Sequence, residues 1–231
     1  MKEKGEGIKM NRMVAWKKFT AAAALVVFAA VVLSGCKMFS KPEADIQSYA
    51  EAVGHLNEAA AKEFSLDIAK LREESEAPSK EAFAALMPSG VDTSKLDETT
   101  NALYDKMKTL NIKTELVSKD GDTATVKVTT DYIDYIGILP GIMQDFQKDL
   151  AADADKVNAM TQEEGISYVM GKMFTKIADG VKNAEIKGQN AFEVTAKYDD
   201  KLGKWVPEKE QTFQQKLYRE MLMGEDKGTQ K

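Results

Sequence analysis

Apolar residues recur in steps of three and four from Asp45 to about Arg72, at Ile46, Tyr49, Val53, Leu56, Ala60, Phe64, Ile68 and Leu71. Glu and Lys fill the positions between them. Such spacing lays one apolar stripe along a helix and predicts a single amphipathic helix over this stretch. Glu73 to Pro78 reads as a break, and Ser79 to Met87 as a second short helix stopped by Pro88-Ser89-Gly90. Ser94, with Asp97 three residues on, marks the next helix start, with Leu96, Leu103, Met107 and Leu110 as its buried stripe.

The period changes at Ile112. Ala124, Val126, Val128, Thr130 and Tyr132 alternate with Thr125, Lys127, Thr129 and Asp131, the pattern of a half-buried strand. Asp120-Gly121 between this run and Ile112 to Ser118 predicts a β-hairpin. Pro140 and Gly141 open a helical stretch with Met143, Phe146, Leu150, Val157 and Met160 inward. Thr161 and Glu164 have capping-box spacing, so a fresh helix is expected on Ile166, Val169, Met170, Met173 and Ile177, ending at Gly180. Alternation returns with Ile186, Phe192, Val194, Ala196 and Tyr198 on one face. A polar turn from Asp199 to Lys204 leads into Trp205-Val206, and a closing helix carries Phe213, Leu217 and Met221.

The N-terminal segment has a different character. Lys2, Lys4, Lys9, Arg12, Lys17 and Lys18 precede an apolar run from Phe19 to Leu33, which is shorter than the ~20 residues that span a bilayer. Small residues close the run at Ser34-Gly35-Cys36. A basic region, a short apolar core and small residues at its end are the marks of a secretory signal. Translation from Met1, Met10 or Met13 is compatible with it. The division expected is 1–35 signal peptide, 36–43 lipidated Cys and tether, and 44–231 a single α+β domain. Within that domain 44–110 is helical, 111–136 a β-hairpin, 140–180 a helical insertion, and 181–231 strands with the closing helix.

Composition narrows the functions available. The 231 residues include 32 basic and 37 acidic side chains, for a net charge of -5, which is the wrong balance for a nucleic-acid partner. Loss of the basic leader leaves the body more acidic still. One Cys and one His cannot assemble a closed zinc site, a disulfide framework or a His-based triad within one chain, so no cofactor and no metal are expected.

Leu33-Ser34-Gly35-Cys36 resembles the lipobox of bacterial lipoproteins. The resemblance implies cleavage between Gly35 and Cys36 and acylation of the Cys36 thiol, hence a membrane partner reached through lipid. The order of elements, with the "KYDDKLGKWV" turn of Tyr198 to Val206, is similar to small α+β lipoproteins of unknown function. Their cystatin-like or nuclear-transport-factor-like folds imply helices packed on a curved antiparallel sheet of about four strands, here with a helical insertion. That family transfers no catalytic residue.

Candidate chemistry is sparse. His55 is the one imidazole, with Glu51 and Glu58 at helical spacing beside it, and reads as a surface or boundary residue. Asp149, Asp153 and Asp155, like Asp120 and Asp122, lack calcium-loop spacing and read as a solvated helix face and a hairpin turn. Tyr132, Tyr135, Phe192, Tyr198 and Trp205 are the candidate ligand pocket, since Tyr and Trp join apolar area to one polar handle, although core filling is their default role. Met170, Met173 and Phe174 offer an adaptable apolar surface whose default role is core packing. The expectation is therefore a lipid-anchored protein on the extracytoplasmic face of the cell membrane, or of the outer membrane in a two-membrane source. It is expected not to be an enzyme but to bind a small apolar or peptide-like ligand or an envelope protein. A structural or assembly role without a small ligand, and a carboxylate-based hydrolase, are the alternatives.

Overall fold

The alternation in residues 123–132 is a strand, and the sheet is built around it. The computed structural model describes residues 40–86 and 94–223. The expected signal peptide, the expected Gly35-Cys36 cleavage site and the predicted Pro88-Ser89-Gly90 stop lie outside the described residues. Strand β1 (Ile112–Asp120) turns at Gly121-Asp122 into β2 (Thr123–Tyr132), with Gly121 at φ 57°, where a Cβ would be strained. Strands β3 (Gly188–Asp199) and β4 (Lys204–Pro207) complete an open antiparallel sheet in the order β1-β2-β3-β4. Val126 sits between Leu116 and Val194, and Val128 between Thr114 and Phe192. A register shift between Leu116 and Ser118 leaves Val117 exposed on the edge strand.

One face of the sheet is covered by helix α1 (Pro42–Gly54) and by the closing helix, numbered α8 (Glu210–Leu222), which also touch each other. Ile46, Tyr49 and Val53 from α1 meet Phe213, Leu217 and Met221 from α8 over Val126, Val128 and Ala196. The opposite parity stays outside: Glu193, Thr195 and Lys197 are exposed, as the alternation requires. Asn190 is buried and donates to the carbonyls of Glu220 (2.8 Å) and Met223 (2.7 Å), fixing the end of α8 to β3. This is an α+β fold with helices on a four-stranded antiparallel sheet, as the sequence predicts.

Several local expectations are corrected. The predicted helix from Asp45 to Arg72 is three helices: α1, α2 (Glu58–Glu63) and the start of α3 (Ile68–Leu86). Leu56 and Ser65 take φ 52° and 55°, and each breaks the ladder while the apolar stripe keeps facing inward. Asn57 caps α2 by accepting from the amides of Ala59 (3.0 Å) and Ala60 (3.2 Å). No break occurs at Glu73 to Pro78, because α3 runs through them. Helix α4 (Ser94–Met107) starts where predicted, although its most buried residues are Ala102, Tyr104 and Met107.

The helical insertion lies between β2 and β3 as α5 (Tyr135–Ala152), α6 (Ala154–Asn158) and α7 (Gln162–Lys182). Helix α5 begins five residues before the expected Pro140, because Asp134 at φ 49° caps it by accepting from Gly137 N at 3.1 Å. The capping box at Thr161 and Glu164 is present. Gly180 does not end α7: it lies within the helix, and a Cβ there would fall 2.2 Å from Ile142 Cδ1 on α5. The glycine is thus a close-approach site between two helices. Ile186 is exposed and precedes β3 rather than joining its inward face. Gly180→Val is expected to lower stability by about 1–3 kcal/mol through overpacking, despite the better helix propensity of the new residue. A thermal melt of Gly180→Val beside the double variant with Ile142→Ala checks this. The second change should recover part of the loss, and equal melting of both with wild type would refute the contact.

Candidate functional site

Helix α8 has two working sides. Phe213, Leu217 and Met221 face the sheet, while Gln211, Gln214, Gln215 and Tyr218, spaced by three and four, share another side. That side forms one wall of a cleft of about 640 Å³. Leu71, Glu74 and Ser75 of α3 line it too, with Tyr49 of α1 and Glu210 at the start of α8. The volume falls in the range typical of small-molecule sites, ~300–1,000 Å³.

Two tyrosines anchor the cleft. The Tyr49 ring meets Phe64 and Phe213 edge-on, at centroid distances of 5.1 and 5.7 Å, and its hydroxyl donates to Glu210 Oε2 at 3.0 Å. Burial, then the charge and hydrogen bond of Glu210, raise the Tyr49 phenol above its ordinary value, so it stays a neutral donor. Tyr218 donates to the Val53 carbonyl at 3.0 Å and accepts from Gln214 Nε2 at 3.3 Å. Burial pushes its phenol up to about 12.

Ser75 and Tyr218 also line a second hollow of about 230 Å³, so the two adjoin. Its wall is mainly apolar, with Leu96, Leu103, Met107 and Leu222. Ser75 Oγ and the Tyr104 hydroxyl lie 2.6 Å apart, and the Arg72 guanidinium sits 5.1 Å from the Tyr104 ring centre. Arg72 Nε donates to the buried Glu76 at 2.6 Å. The Ser75 hydroxyl also meets the Arg72 carbonyl of its own helix at 2.9 Å.

The five aromatics of the predicted pocket do not share a cavity. Trp205 is fully buried in the main core, with Tyr198 edge-on at 5.5 Å. Phe192 is buried beside Phe213, with centroids 5.9 Å apart. Tyr132 packs on the backbone of Gly188, its Cε1 3.1 Å from where a Cβ would stand. Tyr135 belongs to a separate small cluster with Ala102, Ala178 and Val181. Packing holds the strand-borne rings because the sheet face that carries them is covered by α1 and α8, whereas Tyr135 begins α5 and packs within its own cluster.

The other candidates have structural partners. His55 is half-buried, and its Nε2 donates to the Leu110 carbonyl at 2.8 Å, tying the end of α1 to the end of α4. Asp149 pairs with Lys176 at 2.8 Å, and Asp153 pairs with Lys172 while accepting from the Tyr168 hydroxyl at 2.8 Å. The hydrogen-bonded ammonium groups hold both carboxyls below their usual range. Asp149 and Asp153 on the expected solvated face thus form a ladder of ion pairs that joins α5 and its C-terminal end to α7 within the insertion. Phe174 is buried, whereas Met170 lines a shallow hollow with Val157, Met160, Ile166 and Val169. Among the described residues no group of three or more His, Cys, Asp or Glu is placed to hold a metal ion.

Sequence reasoning missed the cleft. Gln211, Gln214 and Gln215 look like the polar side of an amphipathic helix, and only the position of α3 turns that side into a wall. The one signal available was their helical spacing with Tyr218, a large ring on a side expected to meet water.

The fold defines an α+β protein with paired helices on an open four-stranded antiparallel sheet and a helical insertion between its two central strands. It is similar to the crystal structure of a candidate lipoprotein, YcdA, from Bacillus subtilis subsp. subtilis str. 168. The TM-score is 0.58 at 15% identity, and the match covers 78% of this chain and 57% of that one. The chain thus spans a little over half the length of its structural neighbour, and the likeness is one of fold. No protein-family model matches the chain, and no curated protein sequence matches it.

Proposed function

We propose that this chain is a lipid-anchored protein of the bacterial cell envelope whose α+β body is a non-catalytic binding domain. The observation that carries the binding half is the cleft between α1, α3 and α8, where oriented phenols, amides and carboxylates surround an open volume of about 640 Å³. A peptide-like ligand fits this lining better than a purely apolar one, because it would meet the amide groups of Gln211, Gln214 and Gln215 with donors and acceptors of its own.

The anchor half rests on Leu33-Ser34-Gly35-Cys36 behind its apolar run, and the fold likeness to a candidate lipoprotein supports it. Cleavage before Cys36 and acylation of its thiol place the body on the extracytoplasmic face. Among the described residues no helix is long and apolar enough to cross a membrane, so in this reading lipid provides the attachment. The cystatin-like arrangement belongs to the same proposal, supported by a helix-covered antiparallel sheet.

Cys36→Ala tests the anchor directly. Cells fed an alkyne-bearing fatty acid should label the wild-type chain and leave the variant unlabelled, with the variant as uncut precursor or as soluble material. Equal labelling of the two would refute it.

A further inference from the structure

The lining of the cleft is unbalanced in charge. Glu74 on α3 and Glu210 on α8 stand on different walls, and none of the described lining residues is basic. Glu74 pairs with Lys70 on its own helix at 3.7 Å, with both side chains well exposed, a pairing that water and salt weaken. Glu210 is oriented through Oε2 by the Tyr49 hydroxyl, a neutral donor that leaves the negative charge uncompensated. The site is therefore set for a positive charge before any ligand arrives.

Three further features suit one kind of cation. The Tyr218 ring borders the cleft, and aromatic faces attract ammonium groups, whereas the buried Tyr49 ring acts only by orienting Glu210. Gln and Ser side chains add acceptors for its N–H groups. Beyond Ser75 and Tyr218 the adjoining hollow turns mainly apolar with Leu96, Leu103, Met107 and Leu222, which suits methylene groups, and the Glu76 carboxylate that also lines it is already paired with Arg72.

We infer that the cleft between α1, α3 and α8 binds an alkylammonium group. Its charge lies between Glu74 and Glu210, and its hydrocarbon chain lies toward the hollow behind Tyr218. Such a group comes either as a free amine or as the lysine side chain of a peptide. An anion would face two carboxylates with no compensating base among the described lining residues, and a neutral hydrocarbon would strand the carboxylates and amides. The inference rests on the proposed binding role and names its ligand chemistry.

Calorimetric titration of the full chain in detergent tests it with three probes: butylamine, acetyl-Gly-Lys-Gly-amide, and the same peptide with norleucine in place of lysine. At least one amine probe should bind with a Kd of about 1 mM or below. The lysine peptide binding more tightly than butylamine identifies a peptide as the source, and the reverse order a free amine. Glu210→Gln, which keeps an acceptor for Tyr49, should weaken amine binding roughly tenfold or more. Glu74→Gln, at an exposed position, should weaken it in the same direction, and both variants should melt with wild type. Norleucine peptide binding as tightly as lysine peptide, or amine affinity unchanged in both variants, would overturn the inference and leave the cleft as a binding site. No binding of any probe at about 10 mM would overturn the inference together with the peptide-like ligand it builds on.

Discussion

Val126→Lys is expected to unfold the domain, whereas Thr125→Lys leaves it folded. Val126 is fully buried between Leu116 and Val194 under the helices that cover the sheet, and Thr125, one residue earlier, projects from the other face. Lysine at 126 must bury its ammonium unpaired or give up its proton, and either choice costs several kcal/mol against a total stability of about 5–15 kcal/mol. On the outer face the new lysine joins Lys127 among residues that already meet water, so its effect stays within about 0.5 kcal/mol. Circular dichroism melts and urea titrations of the two variants read the difference. A cooperative Val126→Lys transition within a few degrees of wild type would show that the strand does not present this face to the core.

Trp205→Ala is expected to cost about 3–5 kcal/mol, near the upper end because the ring leaves both a cavity and an unmatched neighbour. Trp205 is fully buried, Tyr198 meets it edge-on at 5.5 Å, and Lys119 Nζ lies 4.9 Å from its ring centre. The backbone around it is tied down as well. Trp205 N donates to Asp45 Oδ2 at 3.0 Å, and Lys204 bridges Asp45 (3.4 Å) and Glu63 (2.7 Å). The short strand β4 is thereby fixed to α1 and α2, which explains how four residues hold an edge position. Val206→Ala, at the half-buried neighbouring position, should cost well under half as much. Equal midpoints for the two variants in denaturant titrations would mean that the indole does not fill the core.

The parts of this fold readable from sequence are those fixed by neighbours along the chain. Alternation in residues 123–130 and 190–198 survives because one sheet face is buried and the other meets water; it fails at Asp131, whose buried carboxylate accepts from Asn111 and Gln189. The turn at Asp199 was legible for a local reason too: its carboxylate accepts from Lys201 N (2.7 Å) and Leu202 N (3.1 Å), and Gly203 takes φ 66°. The rest depends on tertiary contact. Leu56 and Ser65 hold left-handed backbone that their side chains do not advertise. Gly180 looks like a stop signal because the sequence cannot reveal Ile142 beside it. The strand-borne aromatics follow their default core role for a related reason: two helices cover the sheet face that carries them. The cleft that is open lies on the far side of α8, among glutamines that a pattern assigns to water.

The insertion between β2 and β3 sets where the entropy of this fold is concentrated. Those two strands pair continuously from Thr123↔Lys197 to Tyr132↔Gly188, yet residues 133–187 separate them in the chain. As a flexible loop that stretch would cost roughly 3 kcal/mol more to close than the two-residue turn of the first hairpin. In the folded chain α5 and α7 lie against each other, with the Asp149–Lys176 and Asp153–Lys172 pairs between them, and return the chain toward its starting point. The sheet therefore depends on the two ends of the insertion rather than on its length. Since loop entropy grows only logarithmically, with about 0.6 kcal/mol for each doubling, this is the place where the architecture can lengthen or shorten at least thermodynamic expense.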